Sequence, residues 1–115
     1  LTLISRAFNT FISIHRASIV EHYTKIVKND NCTYWLLCSR LHRDNDLPAE
    51  ICADGSQRWY QRDQLHRDND LPAVIHANGS QFWYHHGQQH RDNDLPAVIY
   101  ADGSVEYWMN GVKTH

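Results

Sequence analysis

No apolar run in this chain comes near the roughly 18 residues that a spanning helix requires, so the sequence offers no transmembrane helix. Charge of one sign is lacking too. The formal net charge is −2, without the basic stripe that marks a nucleic-acid surface. Near-balance also gives little attraction to acidic lipid, so peripheral membrane contact is not favoured. Cysteine is scarce. Cys32, Cys38 and Cys52 include no C-x-x-C pair and are too few and too scattered for a disulfide framework. A reducing, intracellular compartment is the default expectation. No catalytic constellation stands out, and no enzyme activity or cofactor is expected.

What the chain does have is one stretch written three times. His-Arg-Asp-Asn-Asp-Leu-Pro-Ala occupies His42–Ala49, His66–Ala73 and His90–Ala97, at a period of 24 residues. A fixed period of this size signals a repeat architecture. Each unit continues as Leu-Pro-Ala-x-Ile-x-Ala, then Asp54-Gly55, Asn78-Gly79 or Asp102-Gly103, then Ser and an aromatic-rich segment. Asp-Gly and Asn-Gly are strong signals for two-residue hairpin turns, whose central positions both need positive φ. Each unit therefore reads as a β-hairpin. Pro48, Pro72 and Pro96 sit near a strand start, where a missing N–H costs little. The fold class is all-β: an elongated antiparallel meander of successive hairpins.

A two-residue turn sets a register in which Glu50 opposes Trp59 and Ile51 opposes Arg58. One face then carries Leu47, Ala49, Ile51 and Ala53 with Arg58 and Tyr60. Its copies are Leu71, Ala73, Ile75 and Ala77 with Phe82 and Tyr84, and Leu95, Ala97, Ile99 and Ala101 with Glu106 and Trp108. This invariant set reads as the packed face. The opposite face keeps an aromatic, Trp59, Trp83 and Tyr107, beside residues that change: Glu50, Val74 and Val98, then Cys52, His76 and Tyr100. Interfaces favour such aromatics, which nominates Trp59, Trp83, Tyr107, His76, Tyr100, Val74 and Val98 as a partner-binding surface. The neighbouring turns are Arg62-Asp63-Gln64, His86-Gly87-Gln88 and Asn110-Gly111.

The polar pentad reads as a connecting loop. Its His42, Arg43, His66, Arg67, His90 and Arg91 form a second, polar surface. His-Arg-Asp invites comparison with the kinase catalytic loop, but the Asn, the Gly-rich loop and the strand Lys that belong with it are missing. A metal bound by His42, His66 and His90 meets a geometric objection. Equivalent residues of a meander lie about 9.5 Å apart, two strand spacings, against metal–nitrogen bonds of about 2.0–2.1 Å. A one-coil-per-repeat solenoid would stack them at about 4.8 Å, but the turns favour the meander. Calcium at Asp44, Asn45 and Asp46 lacks the twelve-residue loop and ligand number it needs. Local turn bonds, with Arg43 pairing to a carboxylate of its own or the next loop, are the simpler reading.

Residues 1–22 form an N-terminal segment, residues 23–46 a worn capping repeat, and residues 47–115 three good units. In the cap, Asp30-Asn31 aligns with Asp54-Gly55 and Trp35 with Trp59. Ile4, Ala7, Phe8, Phe11 and Ile12 fall at helical spacing and suggest a helix over about 2–14, though residues 11–20 also suit a strand. The first twenty residues lack acids and carry Arg6, His15 and Arg16; this resembles a mitochondrial presequence, and an ordinary cationic amphipathic segment is the preferred reading. Leu1 to Ile12, with Ser5-Arg6-Ala7-Phe8, also resembles the last helix of an F-box.

The pattern across Gly79 to Tyr84, Gly87, His90 to Ala97, Ile99, Asp102 and Gly103, with its copies on either side, resembles the variant MORN repeat. Such repeats occur in YwqK-type predicted antitoxins and in proteins of large DNA viruses. The resemblance covers about residues 30–115. It implies an elongated sheet of hairpins and a scaffolding or self-associating role, with protein partners and either an intracellular or a virion location. The standard His-Gly-x-Gly of the MORN class is replaced here by His-Arg-Asp-Asn-Asp, which separates this chain from any lipid-binding role of that class. The expected function is a non-enzymatic interaction or assembly module. The alternatives are the substrate-recognition end of an F-box adaptor and a YwqK-like antitoxin.

Overall fold

A computed structural model of the chain describes residues 25–115. The helix expected over 2–14, and the presequence and F-box resemblances, lie outside the described residues. Within them every regular element is a strand, and all pairings are antiparallel. The first unit holds β1 (Lys25–Lys28), β2 (Cys32–Leu37) and β3 (Arg40–Leu41). The second holds β4 (Glu50–Cys52), β5 (Gln57–Arg58), β6 (Tyr60–Gln61) and β7 (Gln64–Leu65). The third holds β8 (Val74–Ile75), β9 (Gln81–Phe82), β10 (Tyr84–His85) and β11 (Gln88–Gln89). The fourth holds β12 (Val98–Ile99), β13 (Val105–Glu106), β14 (Trp108–Met109) and β15 (Val112–Lys113).

The main sheet runs β1-β2-β4-β5-β8-β9-β12-β13, with β3 paired to β2. Three two-stranded ribbons, β6–β7, β10–β11 and β14–β15, stand apart from it. The meander is therefore interrupted once in each of the last three units. The strand that leaves each Asp-Gly or Asn-Gly turn stops at Trp59, Trp83 or Tyr107, and a separate ribbon begins one residue later. In the first unit β2 passes through Trp35 unbroken. The Cα radius of gyration is 17.7 Å and the extents are 57 × 31 × 20 Å, against about 13 Å for a compact chain of this length.

The turns are where the register was decided. At Asp54-Gly55 only the glycine has positive φ, 96°. The Cys52 amide donates to Ser56 O (2.9 Å), and the Gly55 amide donates to Cys52 O (2.9 Å). This is a three-residue loop, a type I turn closed by a glycine bulge, not the two-residue turn that the dipeptide suggests. The Asp54 carboxylate fixes it by accepting from the Ser56 amide at 2.8 Å. Asn78 and Asp102 do the same for Ser80 and Ser104. Two-residue turns with positive φ at both positions do occur, but elsewhere: at Arg62-Asp63, His86-Gly87 and Asn110-Gly111, which close the ribbons, and at Asn45-Asp46, Asn69-Asp70 and Asn93-Asp94 inside the pentads. Because Gly79 has φ of 95° with open space around its missing Cβ, Gly79→Ala should cost about 1 kcal/mol through backbone conformation alone. An unchanged urea midpoint for that variant would contradict the bulge geometry.

The extra loop residue moves every pairing by one. Glu50 opposes Arg58, and Ile51 opposes Gln57. A one-residue slip exchanges the faces of a strand, so the expected face assignment is corrected. Tyr34, Glu50, Arg58, Val74, Phe82, Val98 and Glu106 form one cross-strand row. The other face carries Thr33, Ile51, Gln57, Ile75, Gln81, Ile99 and Val105. Burial follows the first row: Glu50, Val74 and Val98 are buried, while Ile51, Ile75 and Ile99 are only half-buried. Ala53, Ala77 and Ala101 are exposed because each opens a turn. Leu47, Leu71 and Leu95 are also exposed. Each closes a pentad turn (Leu47 N to Asp44 O, 3.4 Å) before the ladder begins, so strand alternation does not reach back to it.

Units are stitched together at three levels. In the sheet, the Trp59 amide donates to Ala73 O and the Trp83 amide to Ala97 O, both at 2.8 Å. At the bulge turns, the Ala77 amide donates to Ser56 Oγ and the Ala101 amide to Ser80 Oγ, both at 3.0 Å. At the ribbons, the Gly87 amide donates to Leu65 O at 2.8 Å. Ala49, Ala73 and Ala97 are fully enclosed, which is why the smallest chiral side chain recurs there. The cap is further tied by a Cys32–Cys52 disulfide across the β2–β4 pair. The cysteines, read as too few and too scattered for a disulfide framework, thus supply a single bond: Cys32 and Cys52 are 20 residues apart in the chain but directly opposite in the sheet.

Candidate functional site

The pentads build a repeated joint. In the second one, Asn69 and Asp70 turn the chain so that the Asp70 carbonyl accepts from Trp83 Nε1 at 3.1 Å. The Asp70 carboxylate takes two bonds from Arg91, at 2.9 and 3.2 Å. Arg91 lies 3.9 Å over the Trp83 ring and also donates to Pro96 O at 3.0 Å. Asp46, Trp59, Arg67 and Pro72 repeat this arrangement, with Arg67 3.7 Å over the ring. The arginine therefore pairs with the preceding loop, not with its own or the next. The Arg91 guanidinium bond holds the Asp70 carboxyl below the usual carboxylate range. At the two ends the joint is incomplete. Arg43 stacks on Trp35 at 3.8 Å. His115 stands 24 residues after Arg91 and stacks on Tyr107 at 4.1 Å in its stead.

The joint histidines are similarly committed. The Arg62 amide donates to His42 Nδ1 (3.2 Å), the His86 amide to His66 Nδ1 (3.1 Å) and the Asn110 amide to His90 Nδ1 (3.0 Å). Each Nδ1 is thus an acceptor, so the ring proton sits on Nε2. It is donated there to Asp44, Asp68 and Asp92 at 2.7–2.8 Å. His42 and His66 are buried, while Asp44, Asp68 and Asp92 are exposed.

This geometry corrects the expected aromatic surface. Trp59 and Trp83 are each 6% exposed, and Val74 and Val98 lie in the core. With an arginine over each tryptophan ring and its Nε1 bonded to a carbonyl, these residues are structural fillings that leave little surface for a partner. Tyr107 is half-buried under His115. His76 and Tyr100 are half-buried, edge-on to Phe82 at 5.1 and 6.0 Å. Of the polar set, Arg43, Arg67 and Arg91 are half-buried clamps, and His42, His66 and His90 are turn anchors.

Two features emerge that the repeat reading passed over. Leu47, Leu71 and Leu95 stand 43%, 36% and 38% exposed, one per unit. And His66 gathers not His42 and His90 but His85 and His86, with ring centroids 4.7 and 4.2 Å away. The signal for the second was present as a His-His pair at positions where the sister units carry Gln61-Arg62 and Met109-Asn110. Among the described residues no helix is long and apolar enough to cross a membrane. No family model, no curated protein and no solved structure matches this chain.

Proposed function

We propose that this chain is a non-enzymatic repeat module that binds a protein partner, or a second copy of itself, along its leucine row. The observation that carries the reading is the recurrence of Leu47, Leu71 and Leu95 at one exposed position in three successive units. The backbone of that residue closes the turn, and more than a third of its surface stays open to water. Regularly spaced apolar contacts on an elongated frame suit assembly, since buried apolar area drives association. The half-buried Ile51, Ile75 and Ile99 add apolar area on one sheet face. The resemblance to variant MORN repeats points the same way. A hydrolytic role for the pentads fits poorly, because both ring nitrogens of each joint histidine are already bonded and none is poised as a general base.

The test is the triple variant Leu47→Asp, Leu71→Asp and Leu95→Asp. It should stay folded with a lowered unfolding midpoint, because the leucines are only partly exposed, and binding is compared under conditions where both proteins are folded. It should lose the proteins that co-purify with the native chain, or the higher species in sedimentation. Unchanged partners and an unchanged sedimentation profile in a folded triple variant would sink the reading.

A further inference from the structure

We infer that His66, His85 and His86 form a binding site for a divalent transition-metal ion of the zinc class, with Asp68 holding His66 in the ligating tautomer. One ring nitrogen from each histidine lies within 4.8 Å of one from each of the others. Imidazole nitrogens at about 2.0–2.1 Å suit zinc and its neighbours, and a three-histidine set leaves a position for water or a carboxylate. His85 and His86 are exposed, so the remaining distance closes by rotation of their side chains together with a shift of the His86 amide off His66 Nδ1, a movement confined to a two-residue turn outside the main sheet. His66 is buried and oriented, so the site has one fixed ligand and two adjustable ones.

The hydrogen-bonded tautomer of His66 already suits a ligand. His66 keeps its proton on Nε2, where Asp68 accepts it at 2.8 Å, and its lone pair is on Nδ1. A carboxylate on the far nitrogen of a metal-bound histidine is the usual supporting arrangement. The ion takes the lone pair now used by the His86 amide. That amide belongs to an exposed two-residue turn and water can satisfy it.

The repeat itself does not ask for these rings. Arg62 and Asn110 adopt the same turn conformation as His86, with φ of 53° and 52° against 49°. Gln61 and Met109 serve where His85 stands. Two histidines in only one of three equivalent ribbons, placed against the buried histidine of the preceding joint, are a departure that architecture leaves unexplained and metal binding explains.

The experiment is a titration of the untagged protein with Co2+, read by its visible absorption, and with Zn2+, read by calorimetry. The parent should bind one ion in this repeat. The double variant His85→Gln, His86→Asn places residues that the sister ribbons carry and so keeps the fold; it should bind at least about tenfold more weakly. Asp68→Asn should weaken binding by about 10- to 100-fold, whereas an exposed His85–His86 pair acting alone would not respond. The proposal is overturned by no saturable binding in the parent, by equal binding in the double variant, or by equal binding in Asp68→Asn.

Discussion

Trp83→Ala should lower the stability of the described array by about 3–5 kcal/mol, the range for removing a buried aromatic. The ring is 6% exposed. It is the floor on which Arg91 lies, and its Nε1 holds the Asp70 carbonyl at 3.1 Å. Without it the Arg91–Asp70 clamp loses its stacking surface, and the carbonyl loses its donor inside a desolvated joint. In a repeat array each unit contacts mainly its neighbours, so a broken joint separates the units on either side. Against a typical total of about 5–15 kcal/mol, that loss is about a fifth at the least. Urea unfolding followed by circular dichroism measures it. Tyr107→Ala, at the end of the array where the ring is half-buried and no Asp carbonyl is bonded to it, should cost clearly less. A Trp83→Ala protein as stable as the parent would mean that the joint does not tie the units together. A loss of partner binding in that variant would report unfolding before it reported a contact.

Reduction of the Cys32–Cys52 disulfide should cost about 3 kcal/mol, the chain-entropy value for a loop of this length. The bond joins residues 20 apart and crosses the boundary between the cap and the first good unit. Reductant should therefore lower the urea midpoint, and the double variant Cys32→Ser, Cys52→Ser should reproduce that effect and be insensitive to reductant. Thiol titration provides the check: two further thiols should appear on reduction. If they are already reactive in the untreated folded protein, the pair is a reduced one and the expected stabilisation is absent.

Much of the fold was legible because the repeat is nearly perfect. The period of 24 residues, the hairpins and the polar pentad as a connector can be read from His42–Ala49 and its copies. The faces could not be, because they hang on one residue of loop length. Asp54-Gly55 is equally at home in a two-residue turn and in a bulged three-residue turn. The choice made by Ser56, whose amide the Asp54 carboxylate captures, shifted Trp59 away from Glu50 and put Arg58 there. That slip exchanged the expected faces and left Val74 and Val98 in the core, while the pentad joints enclosed Trp59 and Trp83 and turned Leu47, Leu71 and Leu95, which precede the ladder, toward the surface. The histidine cluster was out of reach for a related reason. His66 meets His85 and His86 only because each ribbon turn docks on the histidine of the preceding joint, 20 residues back.

By itself the sequence determined what is local and periodic: strands, turn positions, the recurrence of the joint and the class of fold. These follow from short-range backbone preferences that each unit states again. Only the tertiary structure decided which side chains face inward, which cysteines pair, and which histidines gather. Those depend on register between strands and on stacking between units, where a difference of one residue in a loop moves every partner downstream.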